Sequence, residues 1–191
     1  EEEIRYLYNK GKPEHQWKFN EGEGSTAYDS GKPFGDKDCT ISGATWTEGK
    51  FGSALSFDGT DDYLSTNSAL NSSSQFSYSL WFKSSDGTYS ANEYLFSQGT
   101  DDPSVYIATD GKIKVMVDGS LSLSSVSTVS DTNWHHLEIT ADGSTLKLYL
   151  DGKLEAQTSW SGSSASAILY LASDSTPANF FSGVIDDFRL Y

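Results

Sequence analysis

The chain has 191 residues, of which 27 are Asp or Glu and 13 are Lys or Arg, so its formal net charge is −14 at pH 7. Nucleic acids and anionic membranes bind positively charged surfaces, and this acidity therefore argues against both as partners. No apolar run approaches the roughly 20 residues of a membrane-spanning helix, and the single cysteine, Cys39, excludes an intrachain disulfide. The length fits one domain with a single core.

The first thirteen residues have the pattern of a short amphipathic helix. Ile4, Leu7 and Tyr8 recur at helical spacing, three glutamates precede them, and a Gly and a Pro follow as a stop signal. We therefore predict a helical tail over residues 1–13 and a separate domain over residues 14–191.

The rest of the chain has the pattern of short strands separated by tight turns. Six Asp-Gly pairs are flanked by alternating apolar and polar residues, and Asp-Gly tolerates the positive φ angles of hairpin turns. The clearest hairpins are GKIKVMVDGSLSL (111–123) and LKLYLDGKLEAQ (146–157). Further strands are predicted at residues 16–20, 54–57, 63–65, 76–83, 93–97, 105–109, 135–141, 168–171 and 182–190. About a dozen short strands with no internal helix predict an all-β, two-sheet antiparallel jelly-roll sandwich.

Five segments of the chain carry a family resemblance. They are WKFNEGEGSTAYDSGK (17–32), GKFGSALSFDGTDDYLS (49–65), FSYSLWFKS (76–84), NWHHLEITADGSTLKLYLDGK (133–153) and FSGVIDDFRLY (181–191). In this order and spacing they resemble the laminin G-like, concanavalin A-like jelly-roll family, which also holds pentraxins, legume lectins and laminarinase-type glucanases. The resemblance spans nearly the whole chain and implies the same sandwich.

The resemblance also bears on the predicted tail. Domains of this family are often followed by a short acidic helix, and EEEIRYLYN (1–9) is similar to that helix. This favours a fragment of a tandem array, in which the tail of a preceding repeat stands before one whole sandwich and neighbouring domains of the same chain are partners. The alternative is a native N-terminal helix that packs on this domain.

An acidic member of this family is expected to bind calcium, a cation that takes six to eight oxygen ligands. The first and last strands of a jelly roll commonly lie close together, so a turn with Glu21 and Asp29 can meet Asp186. Alternation along the last strand places Asp186 on the inward face with Phe188 and Leu190, where a carboxylate needs a cation or several donors. We predict a structural calcium held by Glu21, Asp29 and Asp186. The alternative is that backbone amides of the first loop satisfy Asp186 without metal.

Two other groups of acids are weaker candidates. Asp101, Asp102 and Asp174 lie in loops similar by chain order to the calcium loops of pentraxins, but the surrounding Glu and Gln pattern of pentraxins is not present. The acids of FDGTDDY (57–63) have the pattern of a solvated hairpin tip. Both groups are therefore predicted to be turn residues.

Aromatic residues are the candidate ligand-binding groups, because sugar rings stack on exposed aromatic side chains. Alternation within FSYSLWFK directs Trp81 outward, and Tyr106 and Tyr149 have the same outward parity in their strands. We predict a carbohydrate-binding outer face formed by Trp81, Tyr106 and Tyr149, with Trp160 at its rim in a serine-rich loop. The alternative for each aromatic is packing against neighbouring strands.

Catalysis is not indicated by the residues. Glucanases of the superfamily carry Glu-x-Asp-x-Glu on one strand, and this spacing does not occur in the chain. Neither His135 nor His136 has a nearby Ser or Cys elbow to activate. The sequence predicts a non-catalytic binding module of a larger secreted or cell-surface protein, with carbohydrate as the ligand. The alternative is a structural spacer or adhesion repeat with no small ligand.

Overall fold

The computed structural model describes residues 12–31, 37–99 and 103–191. Residues 1–11 of the predicted helical tail (1–13) lie outside these ranges, and residues 12 and 13 belong to no regular element. Every regular element within them is a strand, and they contain no helix that could cross a membrane.

Sixteen strands follow one another along the described residues. In chain order they are β1 (His15–Trp17), β2 (Thr26–Ala27), β3 (Cys39–Ser42), β4 (Thr45–Glu48), β5 (Ser53–Asp58), β6 (Tyr63–Thr66), β7 (Gln75–Ser84), β8 (Glu93–Gln98), β9 (Ser104–Ile107), β10 (Lys112–Val117), β11 (Ser120–Thr128), β12 (His135–Asp142), β13 (Thr145–Leu150), β14 (Lys153–Ser159), β15 (Leu169–Leu171) and β16 (Ser182–Leu190).

The strands pair antiparallel into two eight-stranded sheets. Sheet A has the order β14-β13-β12-β7-β16-β5-β4, and β1 also pairs with β16. Sheet B has the order β11-β10-β9-β8-β15-β6-β3-β2. One core cluster contains buried side chains from both sheets, so the sheets are stacked as a sandwich. The predicted all-β jelly-roll architecture is confirmed.

The two clearest predicted hairpins are confirmed at their turns. Asp118 and Asp151 have φ angles of 54° and 51°, and the glycine after each has a φ of 66° or 76°. Two consecutive residues with positive φ are typical of the type I′ turn, whose twist matches that of the flanking strands. Local turn chemistry therefore fixes the β10–β11 and β13–β14 pairings.

Phe188 on β16 joins the two sheets through the core. Its ring lies 5.2 Å from the ring of Phe96 in sheet B, and 5.8 and 6.1 Å from the rings of Trp17 and Tyr78 in sheet A. All four side chains are essentially inaccessible to solvent. Aromatic contacts of this kind stabilise a core beyond the burial of their area.

A β-bulge in β16 corrects the predicted orientation of Asp186. Asp186 pairs with Trp81, but the next paired residue is Arg189, opposite Ser79, and Asp187 has a φ of 48°. The extra residue reverses the alternation, so Asp186 lies on the outer side of sheet A while Phe188 points into the core. The prediction that Asp186 shares a face with Phe188 and Leu190 is wrong, because simple alternation does not include the bulge.

A buried glutamate, Glu155, connects the two sheets at one side of the sandwich. Glu155 on β14 accepts hydrogen bonds from the Ser127 amide (2.6 Å) and hydroxyl (3.0 Å) on β11, and from Lys153 Nζ (3.0 Å). Burial alone would raise the pKa of Glu155, but these hydrogen bonds lower it from 4.5 to about 2. The carboxylate thereby links the edge strand of sheet A to the edge strand of sheet B.

This link gives stability a defined pH dependence. The folded-state pKa of Glu155 lies below its unfolded value, so its contribution is complete above about 4.5 and is lost as the pH falls toward 2. We expect Glu155→Gln to be less stable than the parent protein at neutral pH, and the difference to shrink over that acid range, as measured by urea unfolding. Glu48→Gln, at an exposed residue of β4, is the control, with a change below about 0.5 kcal/mol. A Glu155→Gln deficit that does not change with pH would contradict this account.

Candidate functional site

The predicted aromatic face is divided between the two sheets. Trp81 lies on β7 and Tyr149 on β13, both in sheet A, whereas Tyr106 lies on β9 in sheet B. The outer faces of stacked sheets point in opposite directions, so Tyr106 cannot contact a ligand held by the other two. The prediction of one shared face is therefore wrong for Tyr106.

The predicted rim residue Trp160 is buried, with only 8% of its surface exposed. Its ring packs against Phe76 at 5.6 Å, and its Nε1 donates a 2.9 Å hydrogen bond to Asp118. Gly162 lies so close that a Cβ there would be 2.8 Å from the indole. The prediction that Trp160 is exposed is wrong, because the loop folds its indole against residues distant in the sequence.

Trp81 is partly exposed and is surrounded by three side chains. Phe51 contacts it edge-on at 5.8 Å, the His136 ring lies 5.0 Å away, and Lys50 Nζ is 4.6 Å from the indole centroid. Phe51 itself is 53% exposed. Trp81 thus belongs to a small aromatic and cationic cluster at the surface. It points outward, as predicted, and it also packs against neighbouring side chains, as the alternative predicted.

Strand register connects this cluster to Tyr149. His136 pairs with Trp81, and Glu138, on the same strand and face, pairs with Ser79 on one side and Tyr149 on the other. Burial lowers the pKa of His136, so its imidazole is neutral at pH 7 and can donate from one nitrogen and accept at the other. An indole, a phenol, an imidazole and a carboxylate are therefore neighbours on the outer face of sheet A.

A depression of about 340 Å³ lies farther along the same face. Its lining residues are Ser56, Phe57, Lys83, Ser84, Ser85, Thr132, Gly183 and Val184. Lys83 is two residues from Trp81 on β7, so the depression and the aromatic cluster are adjacent. We call Trp81, His136, Glu138, Tyr149 and the lining residues together the sheet A site.

Asp186, one of the predicted metal ligands, is fully buried beneath the segment that follows β4. Its Oδ2 accepts a 2.8 Å hydrogen bond from the Phe51 amide, and its Oδ1 has no partner among the described residues. Burial raises the pKa of Asp186; the Phe51 hydrogen bond opposes this rise and the Asp187 charge adds to it. A backbone amide therefore does bind Asp186, but it belongs to the segment between β4 and β5, whereas the predicted alternative placed the donors in the first loop.

Glu21 has a similar combination of one used and one unused oxygen. Its Oε1 accepts the Tyr28 amide at 2.9 Å, and its buried Oε2 has no partner among the described residues. The preceding Asn20 accepts a 3.1 Å hydrogen bond from the Ser53 amide, two residues after Phe51. The Glu21 loop is therefore hydrogen-bonded to the first residue of β5, and Asp186 is hydrogen-bonded to the short segment just before it.

Asp29 differs from the other two predicted ligands, because both of its oxygens are already hydrogen-bonded. Oδ1 accepts the Gln16 and Gly31 amides at 3.0 and 2.9 Å, and Oδ2 lies 2.6 Å from His15 Nδ1. Burial would raise the pKa of Asp29, but these hydrogen bonds give a net lowering. Two of the three predicted ligands retain an unpaired oxygen, and Asp29 does not.

The remaining candidate acids that the structure describes lie in turns, and at the predicted solvated hairpin tip Asp62 is buried while Asp58 and Asp61 are exposed. Asp174 accepts hydrogen bonds from Thr176, Ala178 and Asn179, while Asp101 and Asp102 lie outside the described residues. The hairpin-tip acids at 58, 61 and 62 place their carboxylate oxygens within 4.8 Å of one another, and Asp62 Oδ2 caps the Asp58 amide. Burial, with the two neighbouring charges, raises the pKa of Asp62.

The sequence reasoning did not identify Lys50 and Phe51 as site residues. A hydrophobic residue in the turn GKFG (49–52), between two strands, is the available signal, since turn residues are usually polar. The depression has no sequence signal, because its residues come from four separated segments of the chain.

Comparison with known proteins gives a family and several structural neighbours. A family model described as the concanavalin A-like lectin/glucanases superfamily matches residues 58–191. A comparison with curated protein sequences finds no match.

Among solved structures, domain 4 of the extracellular arabinanase AbnA from Geobacillus stearothermophilus, in complex with arabinotriose, has a TM-score of 0.71 at 21% identity, covering 94% of this chain and 92% of that one. The botulinum neurotoxin serotype D binding domain has a TM-score of 0.68 at 16% identity, covering 94% and 48%. A Trypanosoma rangeli sialidase, in complex with the inhibitor DANA, has a TM-score of 0.69 at 13% identity, covering 93% and 30%.

The burial of Trp160 predicts a structural role for this residue. We expect Trp160→Ala to lower the free energy of unfolding by about 3–5 kcal/mol, because it removes a buried indole and leaves Asp118 without its indole donor. Urea unfolding measures the change, and Tyr28→Ala, at a tyrosine that is 58% exposed, is the control. A loss below about 1 kcal/mol would show that the indole does not support the fold.

Proposed function

The chain belongs to the concanavalin A-like lectin/glucanase superfamily, and we propose that it is a non-catalytic carbohydrate-binding domain of a secreted or cell-surface protein. The observation that carries this proposal is the sheet A site, where a cluster of aromatic and hydrogen-bonding side chains lies on the same face as a depression of about 340 Å³. Pockets for small ligands combine apolar surface with a few convergent polar groups in this way.

The chemistry of the sheet A site suits a neutral or weakly polar sugar. Tyr149 and Trp81 offer ring surface, the neutral His136 imidazole can both donate and accept, and Lys83 supplies donors beside the depression. The hydroxyls of Ser56, Ser85 and Thr132 can exchange hydrogen bonds with sugar hydroxyls in either direction. Each of these groups therefore has a counterpart on a carbohydrate.

The same site supports a binding role rather than hydrolysis. Glycoside hydrolysis uses a pair of carboxyl groups, one on each side of the scissile bond. The Glu-x-Asp-x-Glu strand that supplies this pair in glucanases of the superfamily does not occur in the chain. A carboxylate such as Glu138 can orient a sugar hydroxyl without cleaving the sugar chain.

The structural neighbours support carbohydrate binding outside the cell as the general type of function. The arabinanase domain is in complex with arabinotriose, the enzyme is extracellular, and the neurotoxin fragment is a binding domain. The chain covers about half or less of the neurotoxin and sialidase chains, so their activities concern larger proteins. A spacer or adhesion repeat with no small ligand remains the alternative function.

Mutation of the sheet A site tests the proposed function. The probes are arabinotriose, by calorimetric titration, and a glycan array. We expect Lys83→Ala, Glu138→Gln and Tyr149→Ala each to weaken binding of the recognised glycan at least tenfold, because each removes one contact to the sugar.

Tyr28→Ala is the matched control, because it removes an exposed tyrosine elsewhere on the surface, and thermal unfolding confirms that each variant is folded. Silence of the parent protein toward arabinotriose and across the whole array would contradict carbohydrate binding and favour the spacer.

We also propose that calcium binds between the Glu21 loop and β16 and fixes these elements relative to each other. The supporting observation is that Glu21 Oε2 and Asp186 Oδ1 are buried without partners in the described residues. Carboxylate oxygens are hard ligands of the type that calcium prefers. Asp29, whose oxygens are engaged, would orient the loop rather than bind the ion.

Calcium titration of chelator-treated protein tests this proposal. We expect an exothermic or endothermic binding isotherm and a higher unfolding temperature with calcium, because an ion that binds only the folded state stabilises it. Asp186→Asn and Glu21→Gln should lose both effects. Asp61→Asn, at an exposed acid of the hairpin tip, should retain them. Parent protein that shows neither binding nor stabilisation would refute the calcium site.

A further inference from the structure

The longest edge strands of the two sheets lie on the same side of the sandwich. The strand orders end at β14 and β4 in sheet A and at β11 and β2 in sheet B. β11 and β14 have nine and seven residues, whereas β4 and β2 have four and two. β11 and β14 contact each other, and the Glu155–Ser127 hydrogen bonds join them. Because an edge strand has unpaired backbone groups along one side, another chain can attach here more readily than at the short edges.

The exposed aliphatic side chains of the described residues are concentrated on these two strands. Val126 and Leu121, both on β11, are 71% and 55% exposed, and Leu154 on β14 is 44% exposed. Leu154 precedes Glu155, and Val126 precedes Ser127, so these two residues flank the hydrogen bonds that join the strands. We call Leu121, Val126 and Leu154 the edge patch. Single exposed hydrophobic residues are common on proteins, but their concentration at one place is typical of a contact surface.

The charge around the edge patch differs from that of the whole chain. β11 contains no charged residue, and the strands beside it, β10 and β14, contain three lysines, at positions 112, 114 and 153, against the single acid Glu155. The Glu155 side chain is 1% exposed and is paired with Lys153. Since the chain as a whole has a formal charge of −14, two copies repel each other over most of their surfaces. At the edge patch this repulsion is small, which favours a second copy of the chain as the occupant.

Backbone irregularities determine how a second copy can attach. The pairing of β11 with β10 shifts register at two places, and the pairing of β14 with β13 shifts at one. The Ser127 amide is already occupied by Glu155. Bulges of this kind interrupt the regular row of backbone donors and acceptors that an added strand would need. The contact is therefore made by side chains, and it does not extend the sheet from one molecule to the next.

We propose that the edge patch is the contact surface of a weak, symmetric dimer of this chain. A twofold axis that passes between Leu121 and Val126 sets the two β11 strands antiparallel. Leu121 of each copy then lies against Val126 of the other, so one apolar contact is formed twice. A contact in which the same surface is used by both copies closes on itself and gives a dimer rather than a fibre.

The dimensions of this side of the sandwich set the expected affinity. A nine-residue strand is about 30 Å long, and stacked sheets are about 10 Å apart, so the surface with its side chains covers roughly 500 Å² on each copy. The two copies together would bury about 1,000 Å², which lies in the range of weak and transient complexes. We therefore expect a dissociation constant weaker than about 1 μM.

Sedimentation velocity of the full chain tests the proposal. We expect the weight-average sedimentation coefficient to rise from the monomer toward the dimer value between about 10 μM and about 1 mM protein. The rise should be larger in about 0.5 M than in about 0.05 M NaCl, because salt screens the repulsion between two acidic chains.

Two substitutions place a carboxylate in the contact. Val126→Asp and Leu121→Asp should each weaken dimerisation at least tenfold, because the symmetry introduces every added charge twice. Tyr28→Asp makes the same change of charge at an exposed residue beside β2, at the other end of sheet B, and should dimerise as the parent does. Thermal unfolding confirms that each variant is folded. A parent that remains monomeric at the highest concentration in high salt would overturn the proposal, and so would equal dimerisation of all three variants.

Nuclear Overhauser contacts provide a readout that does not depend on variants. In a mixture of isotope-labelled and unlabelled parent protein, contacts between copies should connect the Leu121 and Val126 methyl groups. Contacts between copies that occur only elsewhere would overturn the proposal. Contacts from these methyl groups to residues 1–11 of the same molecule would assign the edge patch to the N-terminal tail and would also overturn it.

Discussion

The bulge at Asp187 is the constraint on which the centre of sheet A depends. β16 pairs with β7 on one side and with β5 and β1 on the other. Because paired residues share a face of the sheet, the direction of each β16 side chain also fixes the direction of its partners on these strands. The extra residue lets Phe188 enter the core while Asp186 and Arg189 lie on the outer side of sheet A, where Asp186 is covered by the segment before β5. Without the bulge, strict alternation would place either the carboxylate or the aromatic ring on the wrong face. The core contact and the buried acid beneath Phe51 are thus two results of one backbone irregularity.

Sequence reasoning was accurate where structure is determined locally. The hairpins at Asp118 and Asp151 follow from the dipeptide that forms their turns, and the sandwich follows from the number of short strands and from the family resemblance. It was less accurate where distant segments meet. Alternation shows that Tyr106 points outward but does not show from which sheet, and nothing near Trp160 in the sequence indicates Phe76 or Asp118 as its neighbours. The bulge itself has no sequence signal, because a positive φ at a non-glycine residue depends on the pairing around it.

The two outer faces differ in physical character although they derive from one chain. Sheet A carries most of the strand acids, and several of them are occupied in structural hydrogen bonds, such as Glu155 with Ser127 and Asp187 with Gln16. Sheet B carries rings and hydroxyls with a few lysines. Electrostatic repulsion among the acidic side chains is therefore concentrated on sheet A and in the loops. A sandwich permits this division because the core isolates one surface from the other.

The pairing of β1 with β16 has a topological consequence. His15 lies opposite Leu190, and the Glu14 amide donates a 2.6 Å hydrogen bond to the Leu190 carbonyl, so the chain enters and leaves the sandwich side by side. A domain with this geometry is connected to neighbouring segments of chain at one place on its surface. It could be grafted into a surface loop of another protein without separating the ends of that loop.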